Sequence, residues 1–357
     1  AMLHNSVNVM SAKREELGIL DYPYFTHREL DVLERVLERR ALERPFTVGG
    51  MTCRFHDAGH IMGSVGLHLE IPGHSVFYTG DVNFEDQSVS RSASFPRDHV
   101  DTLILEATRG AVERPSGFSR QGEIDRLGEW IRRVLSRGGS VLIPVFAVGK
   151  TQEILVTLHR LRRFGRIPSC PVFIGGLSTK MTSIVDRFAD RVPRQETGLR
   201  ILDAMDLQIT SRRRGGELRY SPGCVYALSS GMMSENTVSN RFAHQFLDNP
   251  RNAVLFVGYT DPESPAGLIR RAGKGDLLQL DARQEPVALQ CDVETFDFSG
   301  HATREDLVRF AREVDPDRIL LVHGDDDAVE WLRTALIQEL PRAEVSAPAP
   351  GQSVSLA

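Results

Sequence analysis

Three short runs, residues 140–146, 253–257 and 318–322, are apolar almost without interruption. A strand with one face in water alternates apolar and polar residues; these do not, so both of their faces must be covered. Strands of that kind belong to a layered sheet with helices packed against it. The chain supplies those helices. Residues 123–135 bring Ile124, Leu127, Ile131 and Val134 to one side at helical spacing, and another helix starts near Lys150, after Gly149. Thr303, with Asp306 three residues on, resembles a capping box opening a helix through Val314. A further helix from about Thr26 carries Leu30, Leu33, Val36 and Leu37 on one face. Residues 65–71 and 75–79 read as strands around a Pro72-Gly73 turn, and 102–105 as a buried strand. The expected fold is α/β, with a second domain in the middle of the chain.

Composition narrows the function classes. The chain has 357 residues, 41% of them hydrophobic, enough for one large or two medium cores. A net charge of -5 argues against a uniformly basic nucleic-acid binder, although Arg160, Arg162, Arg163 and Arg166, and then Arg212, Arg213 and Arg214, form local clusters. For either cluster the plainer reading is a solvated surface. Cys53, Cys170, Cys224 and Cys291 lie far apart without a C-x-x-C pair, which excludes a thiol zinc ribbon and suits a reducing compartment. Apolar runs stop well short of the ~20 residues of a membrane span, so the expectation is a cytoplasmic chain.

The candidate chemistry sits where strand-like runs end in glycine-containing turns. These are His60 in Asp57-Ala-Gly-His-Ile-Met-Gly-Ser, Asp81 in Tyr78-Thr-Gly-Asp, Glu106 in Leu105-Glu-Ala-Thr-Arg-Gly, His301 in Phe298-Ser-Gly-His-Ala and His323 in Leu321-Val-His-Gly-Asp. Strand ends at one edge of an α/β sheet are where ligands converge, and glycine lets the backbone turn sharply beside them. Two look-alikes fail. His56-Asp-Ala-Gly-His resembles a zincin helix motif, but Gly59 and Gly63 speak for a turn, so His56 reads as structural. Gly149-Lys-Thr resembles the end of a phosphate-binding loop, whose first glycine would fall on Pro144. Lys150 therefore reads as the start of a helix that can still face a substrate cleft.

Taken in order, the five turns closely resemble the motifs of the β-CASP branch of metallo-β-lactamase-fold nucleases, the family of RNase J and the pre-mRNA 3′-end cleavage nuclease. Ile143-Pro-Val-Phe-Ala-Val-Gly-Lys-Thr-Gln-Glu, Ser230-Gly-Met-Met and Gly258-Tyr-Thr are similar to its middle-domain motifs. The stretch after Met233, Ser-Glu-Asn-Thr-Val-Ser-Asn, departs from it. The resemblance implies a metallo-β-lactamase αββα sandwich, N-terminally incomplete, with an inserted β-CASP α/β domain. It places the first part at 1–108, the insertion at 109–293, the returning part at 294–345 and a tail at 346–357. It makes His60, Asp81 and His323 metal ligands, Asp81 bridging two zinc ions that activate water and clamp phosphate oxygens. His301 becomes the proton donor to the leaving 3′ oxygen, and Glu106 the carboxylate that orients it. The implied partner is single-stranded RNA, DNA being the second candidate; no membrane is involved, and self-association into a homo-oligomer is left open.

The same resemblance calls for H-x-H-x-D-H upstream of His60, and the sequence contains none; only His4, His27 and His56 precede it. Three ligands are too few for two zinc ions wanting about four each. With Ala1 ahead of Met2, the expectation is a truncated chain that binds at most one zinc, weakly, and is inactive by itself. The competing reading is a non-catalytic RNA-binding pseudo-nuclease subunit. The gene upstream of Met2 discriminates the two. Hydrolases of the same superfamily acting on thioesters or lactones lack the roughly 180-residue insertion that the resemblance implies.

Overall fold

The computed structural model describes residues 2–210 and 218–355; the Arg212, Arg213 and Arg214 cluster lies outside them. The chain opens with helices α1 (Met2–Leu17) and α2 (His27–Val36), then strands β1 (Phe46–Val48), β2 (Met51–Asp57), β3 (Val65–Ile71), β4 (His74–Tyr78) and β5 (Thr102–Glu106). It continues through α3 (Arg120–Ser136), β6 (Val141–Pro144), α4 (Lys150–Arg163), β7 (Val172–Gly175), α5 (Leu177–Arg187), α6 (Ile201–Ala204), β8 (Leu207–Thr210), β9 (Val225–Leu228), α7 (Val238–Ala243), β10 (Ala253–Phe256) and α8 (Pro265–Arg271). After β11 (Leu277–Leu278), β12 (Val287–Ala288) and β13 (Asp292–Thr295) come α9 (Arg304–Val314), β14 (Arg318–Val322), α10 (Asp326–Glu339) and β15 (Glu344–Ser346).

The strands sort into two main sheets. One has seven strands in the order β1-β2-β3-β4-β5-β14-β15, antiparallel as far as β4 and parallel from β4 to β15. The other has six, β13-β10-β6-β9-β7-β8, all parallel. The chain leaves the first sheet after β5, builds the whole second sheet, and returns at β14, so the first sheet is assembled from two distant stretches. Strand β13 straddles residues 293 and 294 and belongs to the second sheet.

Alternation along the strands of the second sheet explains their unbroken apolar character. Val141, Ile143, Val225, Ala227, Ala253 and Leu255 face one core with Leu127, Ile131 and Val134 of α3 and Ile154 and Leu158 of α4. Leu142, Tyr226, Leu228, Val254 and Phe256 face the opposite core with Phe242 of α7 and Ile269 of α8. Each of the valines, leucines, isoleucines and phenylalanines among them contributes roughly 1.5–3 kcal/mol by leaving water. The first sheet is covered by α9 and α10, with Leu103, Leu105, Ile319 and Leu321 packed on Leu307, Phe310 and Leu332.

The helix expected from Thr26 forms, and Thr26 and Glu29 cap it reciprocally, but its apolar face does not become core. Leu30 is buried while Leu33, Val36 and Leu37 are exposed. Amphipathic spacing needs a partner surface to become burial, and among the described residues α2 touches mainly α1. The helix expected from 123 starts three residues earlier, because Ser119 accepts the Gly122 amide as N-cap. Among the described residues no helix is long and apolar enough to cross a membrane.

Candidate metal and proton-transfer site

Strands β2, β4, β5 and β14 all end on the same edge of the first sheet, because β2 and β4 run the same way on either side of β3 and the rest are parallel. That edge gathers four of the five residues singled out in the sequence. Beyond β2, the Asp57 carboxylate accepts the Gly59 amide, 2.9 Å, and Gly59 turns at φ +67°. A Cβ there would stand 2.5 Å from the Asn83 carbonyl, so only glycine lets the chain pass and present His60. Asp81 follows β4, and Glu106 is the last residue of β5. His323 follows β14 in the left-handed region at φ +54°, where its carbonyl accepts the Ala107 amide and the Thr108 hydroxyl. The next residue, Gly324, packs so closely on Ala107 that a Cβ would fall 2.8 Å from that residue's own.

The fifth residue arrives from the other side. Between β13 and α9 the segment Asp297-Phe-Ser-Gly-His crosses to the first sheet, and Ser299 Oγ accepts the His301 amide. Three successive carbonyls of this segment are each held by a side chain. Lys150 Nζ donates to Phe298, Arg120 Nη1 to Ser299 at 3.2 Å, and His60 Nδ1 to Gly300 at 2.9 Å. Because a carbonyl only accepts, His60 carries its proton on Nδ1, leaving Nε2 bare toward Asp81 Oδ2 at 3.7 Å. Burial, then the neighbouring His301, push the His60 pKa below its ordinary value, which favours the neutral form a metal ligand needs. On the other side of the carboxylate, His323 Nδ1 stands 3.0 Å from Asp81 Oδ1.

Glu106 is 1% exposed and accepts the Val82 amide at 2.6 Å and His301 Nδ1 at 2.9 Å. Burial resists its ionisation, but the His301 pairing and the hydrogen bonds outweigh this, and its pKa lies below the usual carboxylate range. The His301 ring centroid is 4.4 Å from that of His60 and 6.0 Å from that of His323. Metal-capable atoms of His60, Asp81 and His301 lie within 4.8 Å of one another, as do those of Asp81, Glu106 and His323. The donor set therefore fits a divalent cation such as zinc, with Asp81 common to both groups. Each group also includes one residue of the expected proton-transfer side, His301 in the first and Glu106 in the second.

Other singled-out residues lie elsewhere. His56 is a buried strand residue paired with Glu43 at 2.8 Å, so the zincin reading fails on secondary structure. His4 and His27 stack on each other between α1 and α2. Of the arginines at the end of α4, Arg162 holds the Cys170 carbonyl and Arg166 pairs with Asp125. Sequence reasoning missed the ion pairs that surround the segment leading to His301. Asp297 accepts two hydrogen bonds from Arg109, 3.0 and 2.7 Å, and one from Arg114, 3.2 Å. Glu153 accepts Arg120, 2.8 Å, and the Ser88 and Val89 amides. Arg109 stands in the Glu106 turn and Glu153 in the run from Ile143, so the signal was present without its role.

Two family models match the chain: the Beta-Casp domain over residues 151–269, and the Zn-dependent metallo-hydrolase RNA specificity domain over 286–348. The chain is 30% identical over 305 residues to transcription termination factor FttA of Methanosarcina mazei, covering 80% of this chain and 47% of that one. It is 30% identical over 298 residues to the FttA of Pyrococcus abyssi, at 79% and 45% coverage. It is 26% identical over 362 residues to cleavage and polyadenylation specificity factor subunit 3 of Dictyostelium discoideum, at 99% and 45%. The chain thus spans less than half the length of these relatives.

Proposed function

Since the chain belongs to the β-CASP family of metallo-β-lactamase-fold hydrolases, we propose that it carries much of the catalytic centre of a zinc-dependent ribonuclease. The observation that carries this is the convergence of His60, Asp81, Glu106, His301 and His323, from positions as far apart as 60 and 323, on one sheet edge. In this reading His60, Asp81 and His323 hold the metal. Zinc bound there supplies an activated water and neutralises charge on the phosphate oxygens. The chain's own residues do the rest. Gly300 fixes the His60 tautomer through its carbonyl. Glu106 accepts from His301 Nδ1, so the opposite nitrogen is directed away from the carboxylate and can deliver a proton to a leaving oxygen. Arg120 and Lys150, from the inserted domain, hold the segment that carries His301. RNA is favoured over DNA by the matched RNA specificity domain and by relatives named for transcription termination and for cleavage and polyadenylation.

The test is zinc content measured beside cleavage of a labelled single-stranded RNA by the product of the whole gene. Asp81→Ala is expected to lose both metal and cleavage. His301→Ala is expected to keep its zinc and lose turnover by about 10²–10⁴-fold, the usual contribution of a positioned proton donor. Loss of metal from His301→Ala would reassign His301 as a ligand. A parent protein that binds RNA and zinc but never cuts would replace this reading with the non-catalytic subunit.

A further inference from the structure

Parallel neighbours β6 and β10 end on one edge of the second sheet, and although both strands are buried, each leads into an exposed aromatic residue. Phe146, two residues past β6, is 38% exposed, and Tyr259, three past β10, is 63% exposed. With Gly231, Gly258 and Lys150 they line one small cavity at that edge. A Cβ on Gly231 would come within 3.1 Å of the Phe146 ring, so this glycine lets the ring lie flush against the turn after β9. At Gly258 a Cβ would meet only the Lys150 side chain, at 3.6 Å, which leaves the backbone beside Tyr259 open. Scattered exposed aromatics are ordinary, but two that share a glycine-walled cavity are not.

The cavity is tied to the candidate site from both sides. Lys150, which lines it, donates to the carbonyl of Phe298, three residues before His301. Burial, then Asp261 and Asp325, raise the Tyr259 phenol above its ordinary pKa, and Asp325 is two residues past His323. Tyr259 thus lies on the inserted domain within electrostatic reach of Asp325, in the turn after β14.

We propose that a base of the single strand stacks on the exposed faces of Tyr259 and Phe146, across the rim of this water-sized cavity rather than inside it; this rests on the ribonuclease reading of the chain. Every base has a π face, so such a platform holds a strand without demanding a sequence. It also fixes the strand at a set place relative to His301, which phosphate neutralisation on an acidic chain does poorly.

Binding of a short oligoribonucleotide containing 2-aminopurine, with a chelator present so that binding is read apart from cutting, tests the platform. Stacking quenches the aminopurine fluorescence. The parent is expected to bind and quench, Tyr259→Phe to do the same, and Tyr259→Leu and Phe146→Leu to bind roughly tenfold more weakly with quenching relieved. Circular dichroism melting checks the folding of each variant, and if Phe146→Leu misfolds, the exposed Tyr259 decides. Parent-like affinity and quenching in Tyr259→Leu would refute the platform while leaving the proposed function standing. Failure of the parent to bind RNA at all would overturn the ribonuclease reading, and the platform with it.

Discussion

Replacing Asp297 by asparagine keeps the shape of a partly buried carboxylate and removes its charge. Asp297 lies where the chain returns to the first sheet, bonded to Arg109 and Arg114, which are 8% and 11% exposed in their side chains. It also accepts the Ser299 amide at 3.1 Å, two residues before His301. Burial resists ionisation here, but Arg109 and Arg114 more than compensate, and the pKa falls from 3.8 to about 2. A fall of that size corresponds to about 2 kcal/mol of stability at neutral pH. The variant also strands the Arg109 charge in a site with little water, so a loss of about 3 kcal/mol or more is expected. A depressed carboxylate pKa stabilises the fold above the unfolded value, near 4, and the contribution disappears as pH falls toward about 2. Urea denaturation of parent and Asp297→Asn should therefore show a wide gap at pH about 7 that narrows in acid below about 4. Equal stability at neutral pH, or a gap indifferent to acid, would refute the assignment of this ion pair as a structural clamp.

Gly59→Ala should cost more than about 1 kcal/mol, since the new Cβ meets backbone at 2.5 and 2.6 Å in a left-handed turn, and zinc retention should fall with it because His60 is displaced. Glu153→Gln leaves Arg120 buried beside a neutral partner, and thermal unfolding should show a loss of about 3–5 kcal/mol. Lys150 has its pKa pushed down to about 8 by burial, so the folded state sheds this proton before the unfolded state does. Its contribution to stability should rise between pH about 8 and about 10.5, and subtracting Lys150→Met from the parent across that range isolates it; a flat difference would contradict the assignment.

Much of the candidate site was legible because its residues stand at strand ends beside glycines, a local arrangement that sequence displays directly. His60, Asp81, Glu106, His301 and His323 could be named in order before any geometry. The Glu106–His301 pairing was expected from the family resemblance and stands at 2.9 Å. The clamps around them were not legible. Arg109 with Asp297, Arg120 with Glu153, and Lys150 with the Phe298 carbonyl join residues 33 to 188 positions apart, and an arginine or lysine reads the same in sequence whether it is solvated or buried. The helix after Thr26 marks the opposite limit. Its apolar stripe is plain in the sequence, yet Leu33, Val36 and Leu37 stay exposed, because burial depends on a facing surface that periodicity cannot supply.

The sequence by itself determined the α/β class, since strands without alternation must be covered on both faces, and it singled out the side chains that we propose carry the chemistry. Only the tertiary structure decided how they meet. The order β4-β5-β14 puts the start and the end of the chain side by side, and the inserted domain grips the carbonyls that lead to His301. It also gave the tautomer of His60, the placing of Asp81 between two imidazoles, and the aromatic cavity of Phe146 and Tyr259. Each of these is a contact across long stretches of chain, fixed by packing and charge pairing rather than by any residue's neighbours in sequence.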